Sequence, residues 1–517
     1  MVHYVIFNFT KTYPSGCPYL NLAHLRLRLI RLPVCESIMS DSEIPLEEIR
    51  GDYGFPFFGA IRDRLDYFYF QGRDEFFRHR MRKYRSTVFR VNMPPGPFIS
   101  SNPNVVVLLD AISFPVLFDT SKVEKRNVLD GTYMPSTAFT GGHRACAFLD
   151  PSEPKHATIK HWFLSLLAAR RNVFIPTLRS CLSDLFVDLE DELSSKGKAS
   201  FNSLNDKMSF NFVFKLLCDQ KPSSTIPGAK GAAMFDLWIL LQLAPISSLG
   251  FNNMVLNFLE DVIFHTFPLP PLLIKSSYKK LYDAFSEHAS SVLDEAERLG
   301  IDRDEACHNL VFLAGFNAYG GMKATLPILI KWVGSGGEDL HRRLAREIRS
   351  TVASEGGVTL ATLDKMNLTK SVVYEALRID PPVPFQYGKA KRDMVVRSHD
   401  AAFQIKKGEM VCGYQPFATK DPRVFDDPED FVGDRFVGEG EKLLKYVYWS
   451  NGREIDDPTV GNKQCPGKDL VLLTCRVMLV ELFLRYDTFG MECGSLPVGS
   501  SVTFKSLTKA TSCSKCF

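Results

Sequence analysis

The chain has 517 residues, and its 62 basic against 59 acidic side chains leave a formal net charge of +3, which argues against nucleic acid as a partner. Hydrophobic residues at 45% and charged residues at 23% describe an ordinary globule rather than a disordered or fibrous chain. No Gly/Ser-rich or Pro-rich linker and no internal repeat divides it, so residues 39–507 are expected to form one domain, after an extension over 1–38 and before a flexible tail over 508–517. Twelve cysteines lie scattered without paired spacing, which fits a reducing compartment. Cys513 and Cys516 make a lone C-x-x-C, one pair short of a zinc site.

Residues 1–38 contain Lys11, Arg26, Arg28 and Arg31 but no acidic side chain before Glu36. That bias suits an organelle transit peptide, and the segment is too polar for a membrane anchor, which needs about 20 apolar residues in a row. The equal alternative is that Met39 is the working start, because Ser40 to Glu48 turns abruptly acidic. An aromatic run follows, IRGDYGFPFFGAIRDRLDYFY from Ile49. Farther on, His156 and Lys160 stand four apart on a predicted helix and can reach one anionic target, the plain alternative being a solvated basic face. Gly141-Gly142 marks a turn or a close approach, not a phosphate loop, since no Lys-Ser or Lys-Thr follows. The apolar stretch over 235–281 is expected either to join the core or to present a face to a lipid surface.

Helical periodicity runs from Asp304 to Trp332 and is interrupted by Gly320, Gly321 and Pro327. An interior glycine costs about 1 kcal/mol relative to alanine, so something there needs the space. A second helix, Leu368 to Asp380, carries Glu375 and Arg378 on one side, and FVGDRF then sets Arg435 between two phenylalanines. Last comes NGREIDDPTVGNKQCPGKD, Asn451 to Asp469, with Cys465 at a loop-to-helix junction where free N–H groups and the helix dipole favour a thiolate. Gly461 and Gly467 allow main chain to approach a flat group closely.

Glu-x-x-Arg, Phe-x-x-x-Arg-Phe and the Cys loop, in that order, resemble the cytochrome P-450 family. KVEKRNVLDGTYMPSTAFTGGHRACAFL from Lys122, LDPSEPKHATIKHW and FNAYGGMK resemble its plant fatty-acid-hydroperoxide branch of allene oxide synthases, hydroperoxide lyases and divinyl ether synthases; Arg50, where that branch has proline, departs from it. The resemblance spans roughly 49–507. It implies a mainly α fold with small β-sheets (α+β), haem b lying between a long distal helix and a proximal Cys loop, and Cys465 as the iron ligand. By the same resemblance Lys125, His156, Lys160 and Lys463 are the propionate partners, and Glu375, Arg378 and Arg435 form a charge triad that supports the loop.

Oxygen-activating members carry an acid and an alcohol on the distal helix, where this chain has Asn317 and Ala318. A substrate that brings its own O–O bond needs neither, nor a reductase, NADPH or dioxygen. Asn317 is therefore the expected catalytic residue, with Leu129, Asn317, Ala318 and Lys323 facing substrate. Leu129 and Ala318 together point to a hydroperoxide lyase (hemiacetal synthase) cleaving 9- or 13-hydroperoxides of C18 polyenoic acids in oxylipin biosynthesis. Allene oxide synthase is the alternative, and a reductase-driven monooxygenase the remote one. The expected location is cytoplasmic or peripheral to a membrane or lipid body, with the plastid as alternative if 1–38 is a transit peptide.

Overall fold

The computed structural model describes residues 44–129, 131, 133–218, 226, 228–496 and 499–511. The basic extension over 1–38, Met39 and the Cys513/Cys516 pair lie outside the described residues. The helices that position the site are α1 (Pro154–Ala169), α2 (Arg171–Lys196), α3 (Phe201–Cys218), α4 (Gly228–Leu243), α5 (Lys275–His288), α6 (Arg303–Phe312), α7 (Gly320–Ser335), α8 (Gly337–Glu355), α9 (Asn367–Ile379) and α10 (Lys468–Arg485). One buried apolar cluster runs from Phe139 to Phe504 and draws on all ten.

α6 starts where sequence chemistry says a helix should. The Asp302 carboxylate accepts the backbone N–H groups of Asp304 and Glu305, and those two acids sit on the positive end of the dipole. α6 and α7 then continue into each other through a π-helical turn, Leu313–Tyr319, making one distal helix. The sequence places the irregularity at Gly320, Gly321 and Pro327; the structure widens the helix just before them. Gly315 accounts for part of this: α4 crosses so close that a Cβ there would lie 2.5 Å from the Phe235 ring. A π turn absorbs one extra residue and is a frequent mark of a functional site. Gly141 is likewise a close approach, at φ +64° with its would-be Cβ 2.0 Å from the His308 ring of α6.

α10 buries Val477, Met478, Leu479, Val480, Leu482 and Phe483, the pattern of a helix in the middle of a core. Gly228–Ile246 is long and apolar enough to cross a membrane, yet Phe235, Trp238 and Leu241 on it are buried against the rest of the protein, so core packing accounts for its composition.

The sheets lie to one side. The largest orders its strands Val88–Asn92, Asn104–Leu108, Met410–Tyr414, Phe385–Ala390 and Val123–Glu124. Val106 pairs in parallel with Val411, and the other pairings are antiparallel. Val105, Val106, Val107 and Leu108 are all buried, as suits a strand covered on both faces. A hairpin, Tyr486–Ser495 with Ser500–Lys509, leaves the end of α10 and takes Ala199–Ser200 as a third strand. This corrects the tail boundary expected at residue 508: Thr508 and Lys509 still pair with Thr488 and Tyr486, and Ala510 N–H reaches the Arg485 carbonyl.

Candidate functional site

The cysteine loop is folded against a tight hairpin. Tyr448–Trp449 and Gly452–Arg453 pair across Ser450 and Asn451, and Asn451 takes φ +64°, a conformation the Asn-Gly pair tolerates. The Ser450 carbonyl accepts the Cys465 N–H at 3.1 Å, and the buried Gln464 donates its Nε2 to the Arg453 carbonyl at 2.7 Å. Lys468, the first residue of α10, donates to the carbonyls of Glu454 and Asp456 at 2.8 and 2.7 Å. Cys465 is thus fixed three residues before the first residue of α10 as a half-buried free thiol. Burial pushes its pKa up, while a Gly467 N–H bond and the Lys160 charge pull it down, and the net shift is upward. The helix start alone therefore does not bring the Cys465 thiol below its ordinary range; a coordinating metal would.

Beside the loop, cations gather without carboxylate partners. Lys125, His156 and Lys160 are buried. Lys125 Nζ donates to Asn451 Oδ1, Lys160 Nζ to the carbonyl and Oδ1 of Asn462, and Lys463 Nζ to the Cys146 and Ala147 carbonyls at 3.1 and 2.7 Å. None of these lysines forms an ion pair with a carboxylate among the described residues. Desolvation lowers Lys125 to about 7, with Lys463 repulsion adding to it, and lowers Lys160 and Lys463 to about 8. His156 falls to about 4 through burial and the charges of Lys463 and Lys160, and its Nδ1 has no partner. A buried set of cations in this condition is short of anions, and two carboxylates carried by a ligand would supply them.

Opposite the loop stands the distal helix. The turn Cys146–Phe148 ties the two walls together: its Cys146 N–H donates to Asn309 Oδ1 on α6 at 2.9 Å, Phe148 meets Phe312 edge-on at 5.5 Å, and its carbonyls take Lys463. In the π turn Ala314, Gly315 and Tyr319 are buried, but Asn317 is exposed and Ala318 partly so. The Asn317 side chain makes no hydrogen bond among the described residues, although it lies in the middle of the core-spanning helix. A Cβ at Gly321 would meet nothing within 4 Å, one at Gly461 only an atom at 3.9 Å, and one at Gly467 only Cys465 Sγ at 3.8 Å. Open space at these glycines, a free cysteine and anion-starved cations fit a thiolate-ligated haem with two propionates.

Leu129 is half-buried against the main core, its N–H on the Tyr133 carbonyl at 2.9 Å. The Lys323 ammonium lies 2.5 Å from Asp206 of α3 and 3.0 Å from Asp236 of α4, and Asp236 also takes the Tyr319 hydroxyl at 2.8 Å. With both carboxylates within reach, the side chain is held among α3, α4 and α7.

Behind the loop, Arg378 clasps Glu375 through two bonds of 2.6 and 2.8 Å, and Arg435 Nε donates to the same carboxylate at 2.9 Å. The spare guanidinium N–H groups bind carbonyls of Thr419, Asp426, Asp427, Pro428 and Asp430. Both arginines also lie over the Phe425 ring. The carboxylate and both cations are buried and fully paired, the only condition in which such a group is tolerable.

Residues that sequence reasoning missed are Asn451, Asn462 and the Cys146–Phe148 turn. Asn451-Gly452 was a readable turn signal; the other two had none, because the Cys146–Phe148 turn acts through its carbonyls and Asn462 through a carbonyl and an amide oxygen that only the folded loop aims at Lys160.

The cytochrome P450 family profile matches residues 338–494, from the start of α8 through α10. An allene oxide synthase of Solanum lycopersicum is 57% identical over 470 residues, 91% of this chain and 96% of its own. One from Oryza sativa subsp. japonica is 57% identical over 465 residues, 89% and 96% of the two chains. A divinyl ether synthase of Nicotiana tabacum is 52% identical over 477 residues, 92% and 99%. The likeness spans both walls of the site as well as the cysteine loop, and the chain belongs to the cytochrome P450 family, in its haem-thiolate, fatty-acid-hydroperoxide branch of lyases.

Proposed function

We propose that the protein is an allene oxide synthase, dehydrating 9- or 13-hydroperoxides of C18 polyenoic acids. The observation that carries this reading is the 57% identity to the tomato allene oxide synthase along 91% of the chain. Further synthases from flax, guayule and Arabidopsis stand at 52–53%. Hydroperoxide lyase is the second reading, kept by Leu129 and Ala318, the two positions that favour it.

Cys465 would hold the haem iron, and Lys125, His156, Lys160 and Lys463 its propionates. Bound there, haem supplies homolytic cleavage of the peroxide O–O bond. Asn317 holds the peroxide oxygens by hydrogen bonds; being unable to ionise, it delivers no proton. Ala318 presents a methyl group where a hydroxyl would be needed for oxygen activation. The π turn keeps Asn317 turned out of the helix packing. Phe312 and Phe316, stacked at 4.8 Å, form an apolar wall beside it.

Purified enzyme given each hydroperoxide tests the reading. α-Ketols and cyclopentenones, the hydrolysis and cyclisation products of an allene oxide, are expected; short aldehydes with oxo-acids would transfer the assignment to lyase. Substrate from a lipid phase suits the exposed apolar side chains of residues 249–273, among them Phe258 at 66% and Leu272 at 77% exposure. The relatives labelled chloroplastic support a plastid location. A reporter carrying residues 1–43 entering plastids would bear that out, and a cytosolic reporter would reject it.

A further inference from the structure

Phe316, next to Asn317, stacks on Phe312, and both rings meet Trp238 of α4 edge-on at 6.4 and 5.8 Å between centroids. Trp238 is fully buried and stacks in turn on Tyr278 of α5 at 5.6 Å. The Tyr278 hydroxyl lies 2.7 Å from His308 Nδ1, and the Tyr282 ring, one turn on, lies 4.6 Å from the same imidazole. Tyr282 donates its hydroxyl to Asp304 Oδ1 at 2.7 Å, and Asp304 is exposed. The series runs from the wall beside Asn317 to the surface, and the proposed dehydration uses none of it.

Tryptophan and tyrosine are the neutral side chains most easily oxidised, and a phenol gives up an electron readily only where a base stands ready for its proton. Both tyrosines have such a base. The Asp304 carboxylate 3.6 Å from His308 Nε2 favours the tautomer protonated there, which leaves Nδ1 to accept from Tyr278, and burial, lowering the His308 pKa, keeps the ring neutral. The Asp304 carboxylate, held below the usual range chiefly by the Tyr282 hydrogen bond, is ionised to receive the other.

We propose that Trp238, Tyr278 and Tyr282, linked by ring contacts and by His308, form an electron-transfer chain that gives the enzyme a reductive side activity, converting hydroperoxide to alcohol and water after unproductive O–O cleavage. The proposal rests on the hydroperoxide reading above. Each half of the broken O–O bond takes one electron through Trp238 and one proton from pocket water, leaving as alcohol and as water. Tyr278 refills Trp238 and parks its proton on His308; Tyr282 refills Tyr278, the His308 proton returns to it, and the Tyr282 proton rests on Asp304. A small thiol at the surface gives Tyr282 one electron per passage, the Asp304 proton returns to Tyr282, and the thiol's own proton goes to solvent, making good the one taken from pocket water. Two passages consume one hydroperoxide and two thiols and release alcohol, water and one disulfide.

The test mixes holoenzyme with cumene hydroperoxide and, separately, with linoleic acid hydroperoxide, and freezes each for electron paramagnetic resonance. A tyrosyl signal is expected that thiol quenches, with a several-fold rise in alcohol yield. Tyr278→Phe should lose the signal and bleach after fewer turnovers. Tyr282→Phe should keep a radical at Tyr278 and lose the thiol response, and it decides the matter if Tyr278→Phe does not fold. Wild-type enzyme without a tyrosyl signal from either peroxide, or a variant matching wild type in signal and thiol response, overturns the chain. Radicals from cumene hydroperoxide without products from the fatty hydroperoxide would sink the functional reading and leave the chain standing.

Discussion

Asn317 is an exposed amide between the partly buried Phe316 and Ala318, and among the described residues no hydrogen bond engages its side chain. A group placed to bind where bonding changes should cost activity rather than structure when removed. Asn317→Ala is expected to lower kcat by about 10²–10³, the range for loss of one positioned hydrogen-bond donor. The absorption spectrum of the bound haem and the melting temperature should stay as in wild type; a parallel loss of haem would instead make Asn317 a structural residue. Lys323 leads to the opposite expectation. Burial raises Asp206 to about 6 although Lys323 opposes the rise, and Asp206 Oδ1 has no partner. A carboxyl whose folded pKa lies above its unfolded value weakens the fold as pH rises from the unfolded value through the folded one. Removing Lys323 takes away the charge that limits this effect, so Lys323→Met should melt only slightly below wild type at pH 5 and well below it at pH 8. KM for the hydroperoxide is expected to stay unchanged, since two carboxylates already engage the ammonium; a raised KM would place Lys323 at the substrate.

At the scale of elements, the helices were legible wherever their chemistry is local. Glu375 and Arg378 stand three apart on α9, and the structure sets them 2.6 Å apart. Arg435 was legible only by motif order, since the chain passes through several strands and loops over 60 residues before it returns to Glu375 at 2.9 Å. Glu375→Ala would leave two buried guanidinium groups facing each other, and breaking such a network costs about 3–5 kcal/mol. The expected result is protein that expresses with little haem and unfolds at a lower denaturant midpoint; Glu375→Ala with wild-type haem content would leave the triad no supporting role. The π turn over Leu313–Tyr319 was not legible, because the same residues satisfy α and π hydrogen bonding. Only the crossing of α4 over Gly315, set by tertiary packing, distinguishes them. The partners of Lys323 were illegible for the same reason: Asp206 and Asp236 lie about a hundred residues away on other helices, beyond any spacing rule.

At the scale of the whole molecule, the apolar surface is assembled from three separate parts of the chain. Phe57 meets Phe98 at 5.3 Å, and Phe98 stacks on Phe267 at 5.7 Å. Beneath them the buried Arg64 pairs with Asp261 at 2.6 Å and donates to the His265 carbonyl at 2.7 Å, while Tyr69 reaches His265 Nδ1 at 3.0 Å. These bonds fix residues 55–70 against residues 249–273, so the exposed face needs no ordering before it meets a partner. Exposed side chains that water would otherwise surround gain about 1.5–3 kcal/mol each when buried in an apolar phase. Placing carboxylates on this face should therefore reduce partition into vesicles by about tenfold or more per position, since 1.4 kcal/mol is one decade. Phe258→Glu with Leu273→Glu is the suitable pair, because both side chains are largely exposed and removing them leaves no cavity. Flotation with neutral phosphatidylcholine vesicles should recover wild type at the top of the gradient and the double variant at the bottom. Turnover of hydroperoxide dispersed in detergent should be equal for the two. If the double variant floats with wild type, the face is not where the protein meets lipid.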